Sequence, residues 1–327
     1  MPRYPKVWLA CKIAERQERR NGVPSVQTRR AAGPGTTPAS TAALRIADHQ
    51  VPVEAGSVLV RVYRPVGSLP KPAHLLVHAG SFVSGDVGQL DGLAREYADV
   101  ADCAVVCVDY RLAPEHPWPA APDDVYAALQ WLVASAETLG VDVGRISIGG
   151  ISAGGAIAAA VALMARDRRG PALMFQLLEI PVTDLTMSQP SVARFASGYL
   201  LTRAEMMRGY DAYVPDAALR HDGYVSPMWA SDLSGLPPTM VLTCQCDPLR
   251  DEGEEFGRRL RLAGVPVAVV RARGHVHAST YSSMHSAARY RRITAEALRV
   301  AYTAGDLDSY WSSRRSIRIT MGQGWKR

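Results

Sequence analysis

The chain has 327 residues and carries 37 Lys and Arg against 31 Asp and Glu, a formal net charge of +6. Its 47% hydrophobic and 21% charged residues are the balance of a globular protein, not of a disordered or fibrous one. No apolar run reaches the roughly 18 residues of a transmembrane helix, and five cysteines, an odd number at low density, argue against a disulfide scaffold.

Residues 1–43 read as a separate N-terminal arm. An amphipathic segment over 7–20 is followed by Gly33-Pro34-Gly35-Thr36-Thr37-Pro38, a connector rich in turn formers. The arm is Arg-rich but lacks the apolar core of a signal peptide, which with the unpaired cysteines predicts a cytoplasmic protein. Basic residues gather at both ends: Arg16, Arg19, Arg20, Arg29 and Arg30, then Arg314, Arg315, Arg318, Lys326 and Arg327. No nucleic-acid-binding signature accompanies them, so they read as solvated surface.

From Leu44 the pattern becomes that of an α/β domain. Residues 58–63 are β-rich, and 75–78 and 104–109 are short apolar runs suited to strands buried on both faces of a parallel sheet. Residues 120–139 have helical spacing. Residues 145–155, Arg-Ile-Ser-Ile-Gly-Gly-Ile-Ser-Ala-Gly-Gly, read as a short buried strand, a Gly-x-Ser-x-Gly turn and the start of an Ala-rich helix reaching about Arg168. Further strands are expected over 173–180, 239–244 and 265–271, and helices over 251–263 and 284–302. Between 185 and 224 the alternation breaks, with helix-like pieces around 202–213; this is an insertion over the carboxyl edge of the sheet, where α/β sites lie. The predicted organisation is therefore arm 1–43, core 44–184 and 225–307, cap insertion 185–224 and basic tail 308–327.

The strand–turn–helix context gives the Ser152 turn its chemical meaning. A sharp bend holds the hydroxyl out at the carboxyl end of the strand, and the helix N-terminus beyond it presents free N–H groups to developing negative charge. A serine nucleophile needs a base and an acid to orient that base. Asp247 follows the 239–244 strand and His277 follows the 265–271 strand, so both sit on the same sheet edge as Ser152. Asp251 is a rival to Asp247, though it suits a cap for the next helix; His275 is a rival to His277. The order Ser, Asp, His is that of α/β-hydrolases. The segment His78-Ala79-Gly80-Ser81-Phe82, directly after a strand, is the candidate oxyanion element, with His78 in a structural role. Cys244-x-Cys246 has no second pair and does not suit zinc.

Four blocks closely resemble the hormone-sensitive-lipase-like branch of the α/β-hydrolase fold. They are residues 78–82, Asp109-Tyr110-Arg111-Leu112-Ala113-Pro114-Glu115-His116-Pro117, Gly150-Ile151-Ser152-Ala153-Gly154-Gly155 and Asp247-Pro248-Leu249-Arg250-Asp251-Glu252. The resemblance covers about residues 44–302. It implies a mostly parallel central sheet flanked by helices, with a helical cap from the arm and an insertion after the sixth strand. It implies Ser152 as nucleophile, His277 as base (selected by the Gly-x-x-His spacing from Gly274), Asp247 as orienting acid, and the backbone N–H groups of Gly80, Ser81 and Ala153 as oxyanion donors. It also implies a small-molecule ester as substrate, no metal or organic cofactor, and a homodimer through the last strand and helix. Tyr199, Met206 and Tyr210 of the insertion are candidates for the substrate pocket, with Met207 and Tyr213 beside them.

Three sites depart from the family pattern. Ala79 and Ser81 replace loop glycines, Ile151 replaces an acidic residue beside the nucleophile, and Ala278-Ser279 replaces Gly-Phe after the histidine. The expected function is a serine carboxylesterase acting on a short-chain or specialised-metabolite ester. The departures keep two others open: acyl transfer, cyclisation or elimination on a natural-product intermediate, and non-catalytic binding of a small molecule.

Overall fold

The computed structural model describes residues 4–22, 25–31, 43–303 and 319–321. The predicted connector over 33–38 and nearly all of the basic tail lie outside the described residues. The arm holds α1 (Pro5–Asn21) and the short α2 (Val26–Ala31). The sheet opens with β1 (Leu44–Val53), β2 (Gly56–Pro65) and β3 (Lys71–Val77), then α3 (Asp91–Ala101) and β4 (Ala104–Asp109). Next come α4 (Ala120–Ala134), α5 (Ala136–Leu139), β5 (Val141–Ile151), α6 (Ala153–Asp167) and β6 (Phe175–Glu179). After β6 lie α7 (Pro190–Arg194) and α8 (Arg203–Tyr213), with no strand between 185 and 224. The chain returns to the sheet with β7 (Thr239–Cys246), α9 (Arg250–Leu262), β8 (Val267–Val276), α10 (His285–Tyr302) and β9 (Ile319–Met321).

The strands form one sheet in the order β1-β2-β4-β3-β5-β6-β7-β8-β9. From β4 to β8 every pairing is parallel, while β1, β2 and β9 join antiparallel. Alternation sorts the side chains onto two faces. Leu75, Val77, Val106 and Val108 meet α4, α6 and α9 in one core; Leu76, Val105, Cys107, Met240 and Leu242 meet α3 and α10 in the other. Helix α6 is buried nearly all round, which its run of alanines allows by letting it sit close to the sheet.

Four local differences from the sequence reading have physical causes. Strand β1 was not predicted; Val51 is its one buried side chain, so it has no apolar alternation to read. Helix α3 was also missed. The helix expected over 120–139 breaks at Ser135, whose backbone at φ −97° and ψ 7° leaves the helical region between α4 and α5. Strand β8 runs on to Val276, across an irregular pairing with Cys244 and Cys246, and so delivers His277 at its end. The outer edge of β8 pairs with β9 over Ala268–Val270, so a dimer made by joining two β8 edges would have to displace β9. All five cysteines are free and buried, as thiols packed among apolar neighbours.

Candidate active site

The site is built at the carboxyl ends of β3, β5, β7 and β8. Ser152 follows β5 directly, with φ 56° and ψ −115°, a strained conformation for a residue with a side chain. The turn is held from below: Ser152 N–H donates to the Glu179 carbonyl at 2.9 Å, and the Ser152 carbonyl accepts from Gly155 and Val182. Two glycines make the bend possible. A Cβ on Gly150 would lie 2.1 Å from the Gly154 carbonyl oxygen, and one on Gly154 would lie 2.3 Å from that of Val77.

His277 stands between the other two groups. Its Nδ1 is 2.9 Å from Asp247 Oδ2 and its Nε2 is 3.0 Å from Ser152 Oγ. A carboxylate only accepts, so Nδ1 carries the proton and Nε2 is left to accept from the serine hydroxyl. Asp247 is 1% exposed, and its second oxygen accepts from the Leu249 N–H at 2.9 Å. The rivals are occupied elsewhere. His275 is fully buried, with Nδ1 2.8 Å from Ser279 Oγ, and burial lowers its pKa to about 4. Asp251 pairs with Arg250 in the first turn of α9.

The loop after β3 carries Gly80 at φ 134°, Ser81 at φ 54° and Phe82 at φ 68°. Gly80 holds a conformation open only to glycine, whereas Ser81 sits in the left-handed region that other residues enter at a cost of about 1 kcal/mol. Serine is therefore tolerated where the family has glycine. Among the described residues, no backbone hydrogen bond uses the N–H of Gly80, Ser81 or Ala153. These three lie on the loop after β3 and at the first position of α6.

The long motif over 109–117 is the scaffold of this loop. Tyr110 stacks on His78 with centroids 4.1 Å apart and donates to the His78 carbonyl, and the Ala113 N–H donates to the Phe82 carbonyl. Arg111 clamps the fully buried Asp124 of α4 through Nε and Nη2. His78 is fully buried and donates from Nδ1 to the Ala79 carbonyl at 2.7 Å. Burial lowers its pKa to about 4, so it is neutral and structural.

Helix α8 closes over the loop. Gly209 lets it approach, since a Cβ there would lie 2.8 Å from the Ser81 carbonyl oxygen. Phe82 stacks on Tyr213 with centroids 3.9 Å apart and meets Tyr210 edge-on at 6.3 Å. This corrects the pocket assignment. Tyr210 and Met206 are buried in the core that backs the loop after β3, and Tyr199 packs edge-on against Phe195. None of the three belongs to the wall of the cavity at Ser152. That cavity, of about 540 Å³, is walled instead by Ile151, Ile180, Leu90, Leu93, Leu200 and Met284, with Val7 and Ala10 from α1. Apart from Ile151, nothing in the sequence marked these residues, because an apolar side chain facing a cavity looks like one facing the core. Ile151, in place of a carboxylate, leaves the wall beside Ser152 apolar.

A buried carboxyl lies under Ser152. Glu179 is 1% exposed and accepts from Tyr97 Oη at 2.5 Å. Burial raises its pKa from 4.5 to about 7. The folded protein therefore holds a proton there between about pH 4.5 and 7 that the unfolded chain releases, and stability falls as pH rises through that window. Above pH 7 the full cost, of order 3 kcal/mol, is in place. Glu179→Gln keeps an acceptor for Tyr97 and removes the charge. The variant is expected to melt higher than wild type at pH 8, with the gap closing at pH 5. An equal difference at both pH values would sink this account.

A family model described as the alpha/beta hydrolase fold matches residues 74–280. The chain is 41% identical over 244 residues to the esterase LipI of Mycobacterium tuberculosis, covering 72% of this chain and 74% of that one. It is 38% identical over 237 residues to the ethyl acetate hydrolase of Pseudomonas putida, covering 71% and 74%. Among solved structures, a hyperthermophilic esterase from the archaeon Pyrobaculum calidifontis superposes with a TM-score of 0.82 at 33% identity, covering 91% of this chain and 98% of that one. With its strand–turn–helix serine and its parallel sheet, the chain belongs to the hormone-sensitive-lipase-like branch of the α/β-hydrolase family, as a carboxylesterase-like hydrolase.

Proposed function

We propose that Ser152 attacks the carbonyl of a carboxylic ester and that the reaction passes through an acyl-enzyme. His277 Nε2 takes the serine proton and returns it to the departing alcohol oxygen. Asp247 holds the imidazole in the Nδ1–H form and stabilises the imidazolium as it forms. The N–H groups of Gly80, Ser81 and Ala153 receive the negative charge of the tetrahedral intermediate, and the N-terminus of α6 adds to that field. Water, activated by the same His277, then releases the acid. The observation that carries this reading is the single imidazole within hydrogen-bonding distance of both a buried carboxylate and the serine hydroxyl.

The cavity wall supports a reading of the substrate class. It is mostly apolar and of a size that suits small ligands. We assign it esters whose acyl and alcohol parts are uncharged, of short to medium length. The five free thiols support a reducing compartment, the cytoplasm. Among the described residues no helix is long and apolar enough to cross a membrane.

The test is hydrolysis of p-nitrophenyl esters from acetate to decanoate, with both products identified. Turnover is expected to peak at short or medium acyl length, giving free acid and p-nitrophenol. Retention of the acyl group on an added alcohol or amine, with little free acid, would move the assignment to acyl transfer.

A further inference from the structure

We propose that α1 is an interfacial helix that docks the protein on an anionic lipid surface beside the mouth of its cavity. The inner face of the helix is settled. Val7 and Cys11 are buried against Phe195 and Val276, and Lys6, Val7 and Ala10 contribute to the cavity wall. The outer face is not. Trp8 is 45% exposed, Leu9 55% and Ile13 50%, three large apolar side chains on one short helix. At about 100° per residue, Trp8, Lys12, Arg16, Leu9, Arg20 and Ile13 fall within one outward half of the helix. The helix carries five cations (Lys6, Lys12, Arg16, Arg19 and Arg20) against two anions (Glu15 and Glu18), and Glu15 already pairs with Lys12 and Arg19.

This pattern has a particular physical use. Apolar side chains flanked by Lys and Arg insert into the acyl boundary while the cations meet lipid phosphates, and the aliphatic stems follow the apolar residues down. A second copy of the chain fits poorly, since a symmetric contact would bring together two helices that each carry five cations against two anions. Nucleic acid would match the charge but would leave Leu9 and Ile13 without a partner. An anionic lipid surface answers both features. Because the opposite face of α1 walls the cavity, docking places the bilayer about one helix diameter, roughly 10 Å, from the space in front of Ser152.

The test uses the full chain and co-sedimentation with vesicles of equal parts phosphatidylglycerol and phosphatidylcholine, compared with phosphatidylcholine alone. Binding is expected only to the anionic vesicles, and to fall steeply in about 0.5 M salt. Leu9→Gln with Ile13→Gln, and separately Arg16→Glu with Arg20→Glu, should each weaken partitioning at least about tenfold. Both pairs lie outside the cavity wall, so hydrolysis of soluble p-nitrophenyl butyrate should be unchanged and will report a folded protein. Vesicles should also shift the tryptophan emission of wild type to shorter wavelength, and less so for Trp8→Phe. Failure to bind anionic vesicles, or binding that neither pair weakens, overturns the proposal. So does a dimer in light scattering that the Leu9/Ile13 pair dissolves, since a second copy would then own the face. These readouts stand whether or not the ester reaction is as assigned.

Discussion

Ser152→Ala is expected to lower kcat by roughly four to six orders of magnitude, with the fold intact. The size of the effect follows from how the groups share one task. Without the hydroxyl there is no acyl-enzyme, and His277 and Asp247 have nothing to act on. What survives is whatever the oxyanion N–H groups do for direct attack by water. Stability should hardly move. The substitution leaves the φ 56° backbone of the turn as it is, keeps the N–H bond to the Glu179 carbonyl, and removes only the hydroxyl's contact with His277. Two measurements check this: p-nitrophenyl butyrate turnover, and a thermal melt within a few degrees of wild type. Labelling by a fluorophosphonate should vanish in parallel. Residual kcat above about one per cent of wild type, in a preparation free of contaminating esterase, would assign the nucleophile elsewhere.

Gly80→Ala is expected to damage both stability and rate. A Cβ on Gly80 would lie 1.8 Å from the Ser84 carbonyl oxygen and 2.5 Å from its carbon, in backbone that φ 134° reserves for glycine. The atom in the way is main chain, so no side-chain rotation relieves the clash. The loop has to open, and with it go the bonds from the Val83 and Ser84 N–H groups and the Ser84 hydroxyl to the Gly80 carbonyl. Backbone strain and lost loop bonds together should cost several kcal/mol. Displacing even one oxyanion donor should lower kcat by a further 10²–10³-fold. Melts and kcat on the surviving folded fraction separate the two effects. A variant with wild-type kcat would show that the N–H groups of this loop do not meet the reacting oxygen. Ser81→Ala is the informative companion: it keeps the backbone N–H and removes the hydroxyl, so retained activity would assign the donor to the main chain.

Much of the arrangement around Ser152 was legible in the chain itself. Parallel strands buried on both faces are continuous apolar runs, so β3, β4, β6 and β7 could be read directly. Strand β1 could not, because it lies at the sheet edge with one buried side chain. Helix α3 carries helical spacing in Leu93, Ala94, Tyr97, Ala98 and Ala101 and was legible in the same way as its neighbours. Ser152, Asp247 and His277 stood out because polar residues just past the ends of buried strands must share one sheet edge. The Gly-x-x-His spacing of the resembling family favoured His277 over His275; the tertiary structure adds the physical reason, since β8 runs to Val276 across its irregular pairing with β7 and delivers His277 beside Ser152.

The pocket shows the limit most plainly. Tyr210 and Met206 carried the composition of a binding surface and turned out to back the oxyanion loop, while Leu200, Met284 and Val7 form the wall. The sequence by itself determined the sheet, the helix behind the nucleophile and the residue types at the sheet edge, because burial periodicity and turn chemistry are local. Only the tertiary structure decided which apolar side chains face the cavity and which face the core. Hydrophobicity pushes a side chain out of water, and it carries no information about whether the space it enters is filled by protein or left open for a substrate.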